Sequence, residues 1–248
     1  MALTAARNVG VQSWSFRHFK TIGEMLAQVK AVGVSRIELC GAHAQFDDPT
    51  QHQVAIDACK AAGVEIVSIG VQSFNGDQKK EKHWFEFAKK AGATCISSHF
   101  NVENFREGAA VARALSEAYD IKVAVHCHGG YRFNGSVDEI SHLIALGGGR
   151  IGINIDTAWC LQSGGDPVEW AKKFKGCVFG THYKDFVFTP KGKWSECLIG
   201  DGALDLPTYV KTLDETGFDG FSVIEYEAEV ENPGPTIKKA VERIRSLA

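Results

Sequence analysis

Short apolar runs recur along the chain, and each ends in a polar side chain. Segments 123–128 (VAVHCH), 151–156 (IGINID), 177–182 (CVFGTH) and 221–225 (FSVIE) share this design. An apolar run of this length, bounded by turn residues, suits a strand buried on both faces. Comparable runs at 9–16, 36–40, 64–71 and 94–100 complete a set of eight, the fifth being entered at Ile121. Between the runs the apolar spacing changes to that of a helix. Segment 22–32 carries Ile22, Met25, Leu26 and Val29 on one face and stops at Gly33, a helix C-cap. Helices are predicted in the same way over 51–62, 79–91, 105–120, 136–146, 167–174, 206–216 and 235–247.

The punctuation agrees with this division. Gly63, Gly92 and Gly217 follow helices as Gly33 does. Ser136 with Glu139 reads as a capping box, and Asp166-Pro167 as a cap followed by proline in the first turn. Segments 41–49, 129–135 and 186–204 are predicted loops. Strand and helix thus alternate eight times, which implies a parallel sheet closed into a single (β/α)8 TIM barrel spanning residues 1–248. The alternative is an open doubly wound sheet. Against it, no Gly-x-Gly-x-x-Gly follows the first strand, and polar residues close nearly every strand.

In such a barrel the C-terminal strand ends share one rim, where active sites are built. His126, Asp156, His182 and Glu225 close four consecutive strands and so fall on one arc. Each taken alone is more often a cap, a salt-bridge partner or a core residue. Together they suggest a metal site. Two imidazoles and two carboxylates suit one borderline divalent ion, Mn²⁺, Zn²⁺, Co²⁺ or Fe²⁺, with positions left for substrate oxygens. His128, two residues beyond His126, is the alternative ligand or an acid. Glu38, His43, His99 and Lys184 also fall at or near strand ends. Lys184 is read as polarising a substrate oxygen or as pairing with Glu225 or Asp185. His99, Trp14, Trp159 and Arg132 are candidates for substrate binding: imidazole for a hydroxyl, indole for the C–H face of a sugar, guanidinium for a phosphate or carboxylate. Asp185 is read as structural.

Composition narrows the class. A net charge of −3 gives no basic footprint for nucleic acid. No apolar stretch reaches the ~18 residues of a membrane span, and the N-terminus lacks signal-peptide character, so the chain reads as cytoplasmic. Seven cysteines without CxxC spacing suggest small core residues rather than disulfides or a zinc ribbon.

The stretches Asp156-Thr157-Ala158-Trp159, His182-Tyr183-Lys184-Asp185, 200–205 (GDGALD) and 220–225 (GFSVIE) resemble the sugar phosphate isomerase/epimerase superfamily, the xylose isomerase-like barrels. The resemblance covers nearly the whole chain. In epimerases of this group the last four strands supply Glu, Asp, His and Glu to the metal, which carries over to His126, Asp156, His182 and Glu225. Position 126 departs from that pattern, since a glutamate stands there in ketose epimerases and works with the last one on opposite faces of the sugar. Trp159 departs too, where some members have histidine. The resemblance implies a metal-dependent isomerase or epimerase of a sugar, sugar phosphate or keto-sugar acting through an enediolate, with Glu225 as the base; His128 and Lys184, near strand ends, are the catalytic candidates for the proton chemistry that the missing glutamate would have supplied. A lyase or hydratase acting on a keto-sugar or inositol derivative is the alternative, because it needs only one base beside the metal. The superfamily's abasic-site nucleases are a poorer match to the charge, and a non-catalytic sugar-binding barrel would need an inert site. The expected partner is a small carbohydrate, with no nucleic acid and no membrane, and a homo-oligomer is compatible with the sequence.

Overall fold

The structure is a computed structural model, and it describes residues 4–129 and 134–248. Eight parallel strands close into a barrel: β1 (Gly10–Gln12), β2 (Arg36–Leu39), β3 (Glu65–Phe74), β4 (Cys95–Phe100), β5 (Lys122–His126), β6 (Ile151–Asp156), β7 (Val178–Tyr183) and β10 (Phe221–Ile224). Neighbours in sequence are neighbours in the ring, and β1 closes on β10 through Gly10–Val223 and Val11–Ile224. The expected alternation and closure are therefore present.

The predicted helices appear as α2 (Ile22–Ala31), α3 (His52–Ala62), α4 (Gln78–Ala91), α5 (Phe105–Tyr119), α6 (Val137–Leu146), α8 (Pro167–Lys173), α9 (Leu206–Glu215) and α10 (Gly234–Arg245). Ser136 and Glu139 form the reciprocal capping box, and Gly63 and Gly92 end α3 and α4 in the left-handed conformation that glycine adopts freely. Among the described residues, no helix is long and apolar enough to cross a membrane.

Several boundaries differ from the sequence expectation. The first strand stops at Gln12, and Ser13–Phe16 forms a 3-10 turn because the Gln12 side chain accepts from Trp14 N–H. β3 runs on to Phe74, through the polar Gln72 and Ser73, by pairing with Ser98–Phe100 of β4. Two short helices, α1 (Thr4–Arg7) and α7 (Thr157–Gln162), are too brief to show a period. The expected loop 186–204 contains an antiparallel hairpin, β8 (Phe186–Phe188) with β9 (Trp194–Glu196).

Two apolar layers hold the barrel. The larger lies between strands and helices, from Val11 and Ile37 round to Ile153 and Ile224. The smaller fills the interior with Val67, Cys95, Ala124, Phe179, Phe221 and Val223. Gly180 and Gly152 leave the space that the rings of Phe221 and Phe179 occupy: an added Cβ would meet those rings at 2.3 and 2.5 Å. Because side chains alternate along a strand, the residue two beyond an interior residue also points inward. His126 follows Ala124 in this way, and Glu225 follows Val223. The polar rim thus stands directly on the apolar plug.

Candidate metal centre

Strand register brings the four rim groups together. Asp156 is the direct partner of His182, and His126 pairs one step earlier with Asn154. Glu225 lies just past β10, yet its N–H still donates to the Tyr183 carbonyl at 3.1 Å and continues the ladder. Each of His126, Asp156, His182 and Glu225 can offer one donor atom within 4.8 Å of the others, and all four are buried. His126 Nε2 is 3.6 Å from Asp156 Oδ2, and His182 Nδ1 is 3.4 Å from Glu225 Oε2.

The donor set fits a divalent cation. His126 Nε2 and Asp156 Oδ2 are buried and have no hydrogen-bond partner among the described residues, a costly state for polar atoms unless something else binds them. Bonds of ~2.0–2.2 Å to one ion hold donors within about 4.4 Å of one another. The observed spread needs a contraction of only a few tenths of an ångström.

The far nitrogen of each imidazole is also held. His182 Nε2 lies 3.0 Å from Glu38 Oε1 and donates to it, so Nδ1 is the nitrogen that faces the cluster and would ligate a cation that displaces its proton. His126 Nδ1 lies 3.1 Å from His99 Nε2. If it donates that bond, its Nε2 lone pair also faces the cluster. Glu38 is wholly buried and bonded to Gln12 as well. The register shift between Ile37 and Glu38 is the kind of irregularity that re-aims a side chain beside a site.

Charge is concentrated here. Burial pulls the His182 imidazole down, but Glu38 and Glu225 outweigh it and push the group up to about 10. Burial pushes the Glu225 carboxyl up, yet Lys184 and His182 hold it well below the usual carboxylate range. Burial likewise opposes the charge on Lys184, and Glu225, Asp156, Glu196 and Glu227 more than restore it, so its pKa is raised. Lys184 Nζ sits 3.4 Å from Glu225 Oε2 and also bonds Glu227. It is 1% exposed, so it stands behind Glu225.

A cavity of about 370 Å³ opens onto the cluster. Among the sequence candidates, Trp14, His99, His126, His128, Trp159 and Glu225 line it, while Asp156 and His182 are fully buried behind it. His128 stacks on Trp159 with ring centroids 4.0 Å apart, and the hairpin residue Trp194 meets the Trp159 ring edge-on at 5.0 Å. His43 is turned away from the cluster, with Nε2 2.9 Å from the Phe19 carbonyl. Asp185 accepts from the N–H groups of Gly200, Gly202 and Leu204. Arg132, the candidate for a substrate anion, lies outside the described residues.

Two acids were not singled out by the sequence reading. Glu227 lines the cavity, and its Oε1 accepts from Trp14 Nε1–H at 2.7 Å. Its place two residues beyond Glu225 was a usable signal, since alternate residues share a side. Glu196 of the hairpin accepts from Glu227 N–H and Ala228 N–H, and burial pushes its carboxyl up to about 7. No strand-end pattern pointed to Glu196.

Residues 26–247 match the family model of the xylose isomerase-like TIM barrel. The rhizopine catabolism protein MocC of Rhizobium meliloti is 26% identical over 139 residues, a region covering 50% of this chain and 42% of that protein. The chain therefore aligns with less than half the length of that curated relative. Three solved structures share the fold. The xylose isomerase domain protein of Planctomyces limnophilus has a TM-score of 0.77 at 21% identity, covering 97% of this chain and 96% of that one. The 3-keto-D-glucoside 4-epimerase YcjR of E. coli has 0.75 at 14%, covering 96% and 99%. The probable 3-DHS dehydratase AsbF of Bacillus anthracis has 0.72 at 18%, covering 95% and 97%. With the barrel closed in the expected order and nearly the whole chain matched, this protein belongs to the xylose isomerase-like TIM barrel family.

Proposed function

We propose that the protein is a divalent-metal-dependent isomerase or epimerase of a sugar, sugar phosphate or keto-sugar, acting through an enediolate. The observation that carries this reading is the convergence of His126 Nε2, Asp156 Oδ2, His182 Nδ1 and Glu225 Oε2 at the base of a cavity. Those four residues would hold Mn²⁺, Zn²⁺, Co²⁺ or Fe²⁺. Bound there, the cation supplies Lewis acidity to adjacent substrate oxygens, favouring the charge of an enediolate.

The chain's own groups supply the rest. Glu225 is held ionised by Lys184 and His182, with Oε2 turned to both. Its Oε1 is the atom that takes the proton beside the substrate carbonyl. Lys184 acts through Glu225, keeping the charge of that buried carboxylate compensated. His128, which lines the cavity with Nδ1 3.0 Å from the Gly129 carbonyl, is the group that returns a proton. His99, Trp14 and Trp159 orient the sugar, and Trp159 is braced by His128 and Trp194.

One observation favours a second reading, a lyase or hydratase acting on a keto-sugar or inositol derivative. Glu225 is the one glutamate among the four cluster residues, and such a reaction needs a single base near the metal. A dehydratase with this same barrel is among the solved structures.

Incubation with Mn²⁺ or Zn²⁺ and a panel of keto-sugars and inosones in D₂O tests both readings. Deuterium beside the carbonyl together with a new diastereomer supports the isomerase or epimerase. Loss of water or formation of an unsaturated product supports the lyase. No exchange with any member of the panel overturns both.

A further inference from the structure

The cavity above the cluster does not end at the strand ends. Its wall between β2 and β3 is formed by Gly41 and Val71, and the far side of these two residues lines a second cavity of about 390 Å³. The two spaces are therefore adjacent, with Gly41 and Val71 common to their linings. Small-molecule sites occupy roughly 300–1,000 Å³, so each space has room for one ring with its substituents.

The second cavity has the chemistry of a neutral polar ligand. Ala44 and Phe46, both buried, form an apolar floor. Gln45 and Gln72 add amide groups that both donate and accept. Asp47 is already engaged, by Trp84 Nε1–H at 2.6 Å and by Lys80 at 3.2 Å. Asp48 Oδ1 accepts from Thr50. Two carboxylates on the wall are unfavourable for a phosphate or carboxylate there. Amides over an apolar floor suit hydroxyls above a C–H face.

We infer that the substrate is a glycoside or disaccharide, its reacting ring at the four-residue cluster and its second glycosyl unit in the cleft of Gly41, Gln45, Phe46 and Gln72. This rests on the functional reading above, and it names the substrate class of that same site. The juncture at Gly41 is what makes the extension feasible. A Cβ added there would meet nothing within 4 Å, so the position is open space that a linkage can cross.

The test separates binding from turnover. Maltose, trehalose, lactose and sucrose, with glucose, galactose and fructose as references, are titrated into the Zn²⁺-loaded protein and followed by ligand-observed NMR. At least one disaccharide should bind fivefold or more tighter than either of its component sugars. Gly41→Leu fills the juncture and should remove that advantage. Gln72→Ala, which leaves the juncture open, should reduce it by at least half and guards against misfolding of the first variant. An advantage below fivefold for all four disaccharides, or one that survives both variants, overturns the inference. If the advantage is found and no keto-sugar exchanges deuterium, the glycoside cleft stands and the isomerase reading fails. If keto-monosaccharides exchange and no disaccharide is preferred, the reverse holds.

Discussion

His182 Nε2 and Glu38 Oε1 lie 3.0 Å apart although 144 positions separate them. This bond joins the second strand of the barrel to the seventh across its interior. It orients the imidazole and fixes its tautomer, and a carboxylate partner raises the basicity of the ligating nitrogen. Glu38→Ala should therefore weaken Zn²⁺ or Mn²⁺ binding by about 10–100-fold, with Glu38→Gln falling between it and the wild type. Calorimetric titration measures this. Wild-type affinity in the alanine variant would mean that packing alone positions His182.

Ion binding should also be legible in stability. A ligand that binds only the folded state, at a hundred times its Kd, adds about 2.7 kcal/mol. For a chain of this size that raises Tm by about 5–10 °C. Zn²⁺ or Mn²⁺ should produce a rise of this order, and EDTA should reverse it. Asp156→Ala should abolish the response. An equal response in Asp156→Ala and wild type would locate the ion elsewhere.

The barrel was legible in the sequence because most units carry their own punctuation. Gly63 and Gly92 close helices, and 151–156 is a strand with the limits expected. The convergence of His126, Asp156, His182 and Glu225 was legible for the same reason, since each closes a strand. What escaped was set by tertiary contact. Gln72 and Ser73 lie beyond the expected strand 64–71 and extend it by pairing with β4. The hairpin at Phe186–Glu196 carried a turn signal in Pro190-Lys191-Gly192, but its arms are three residues each. Glu38 was visible as a polar residue in an apolar run. Its bond to a residue on β7 is a property of the closed ring and has no local signature.

Removing the candidate base should separate chemistry from folding. Glu225→Gln keeps the side chain's shape, and Lys184 retains Glu227 and, at 3.8 Å, Glu196. The buried lysine is thus not stranded. The variant should keep the wild-type circular dichroism spectrum and lose deuterium exchange into keto-sugars by at least 10²-fold. Exchange at the wild-type rate would remove Glu225 from the proton transfer.

Asp185 should behave in the opposite way. Its carboxylate is fully buried, and it accepts from three backbone N–H groups in the loop that precedes α9, at 2.8–3.0 Å. Asp185→Ala leaves those donors without a partner, at about 1 kcal/mol or more each. A Tm about 6–12 °C lower is expected. A Tm within 2 °C of wild type would show that water replaces the carboxylate at no cost.

The alkaline limit should be set partly by buried thiols. Burial pushes the Cys59 thiol up to about 11, against an unfolded value near 9. Between those values the unfolded chain has released this proton and the folded chain still holds it. Stability must then fall as pH rises through the window, since the folded state binds more protons. At its steepest, one such group contributes about 1.4 kcal/mol per pH unit. Cys59→Ala loses some packing at every pH, but its unfolding free energy should decline less steeply between pH 9 and 11. Urea denaturation at half-unit steps measures both slopes. Parallel curves for wild type and variant would show that the Cys59 thiol ionises in the folded protein as readily as in the unfolded chain.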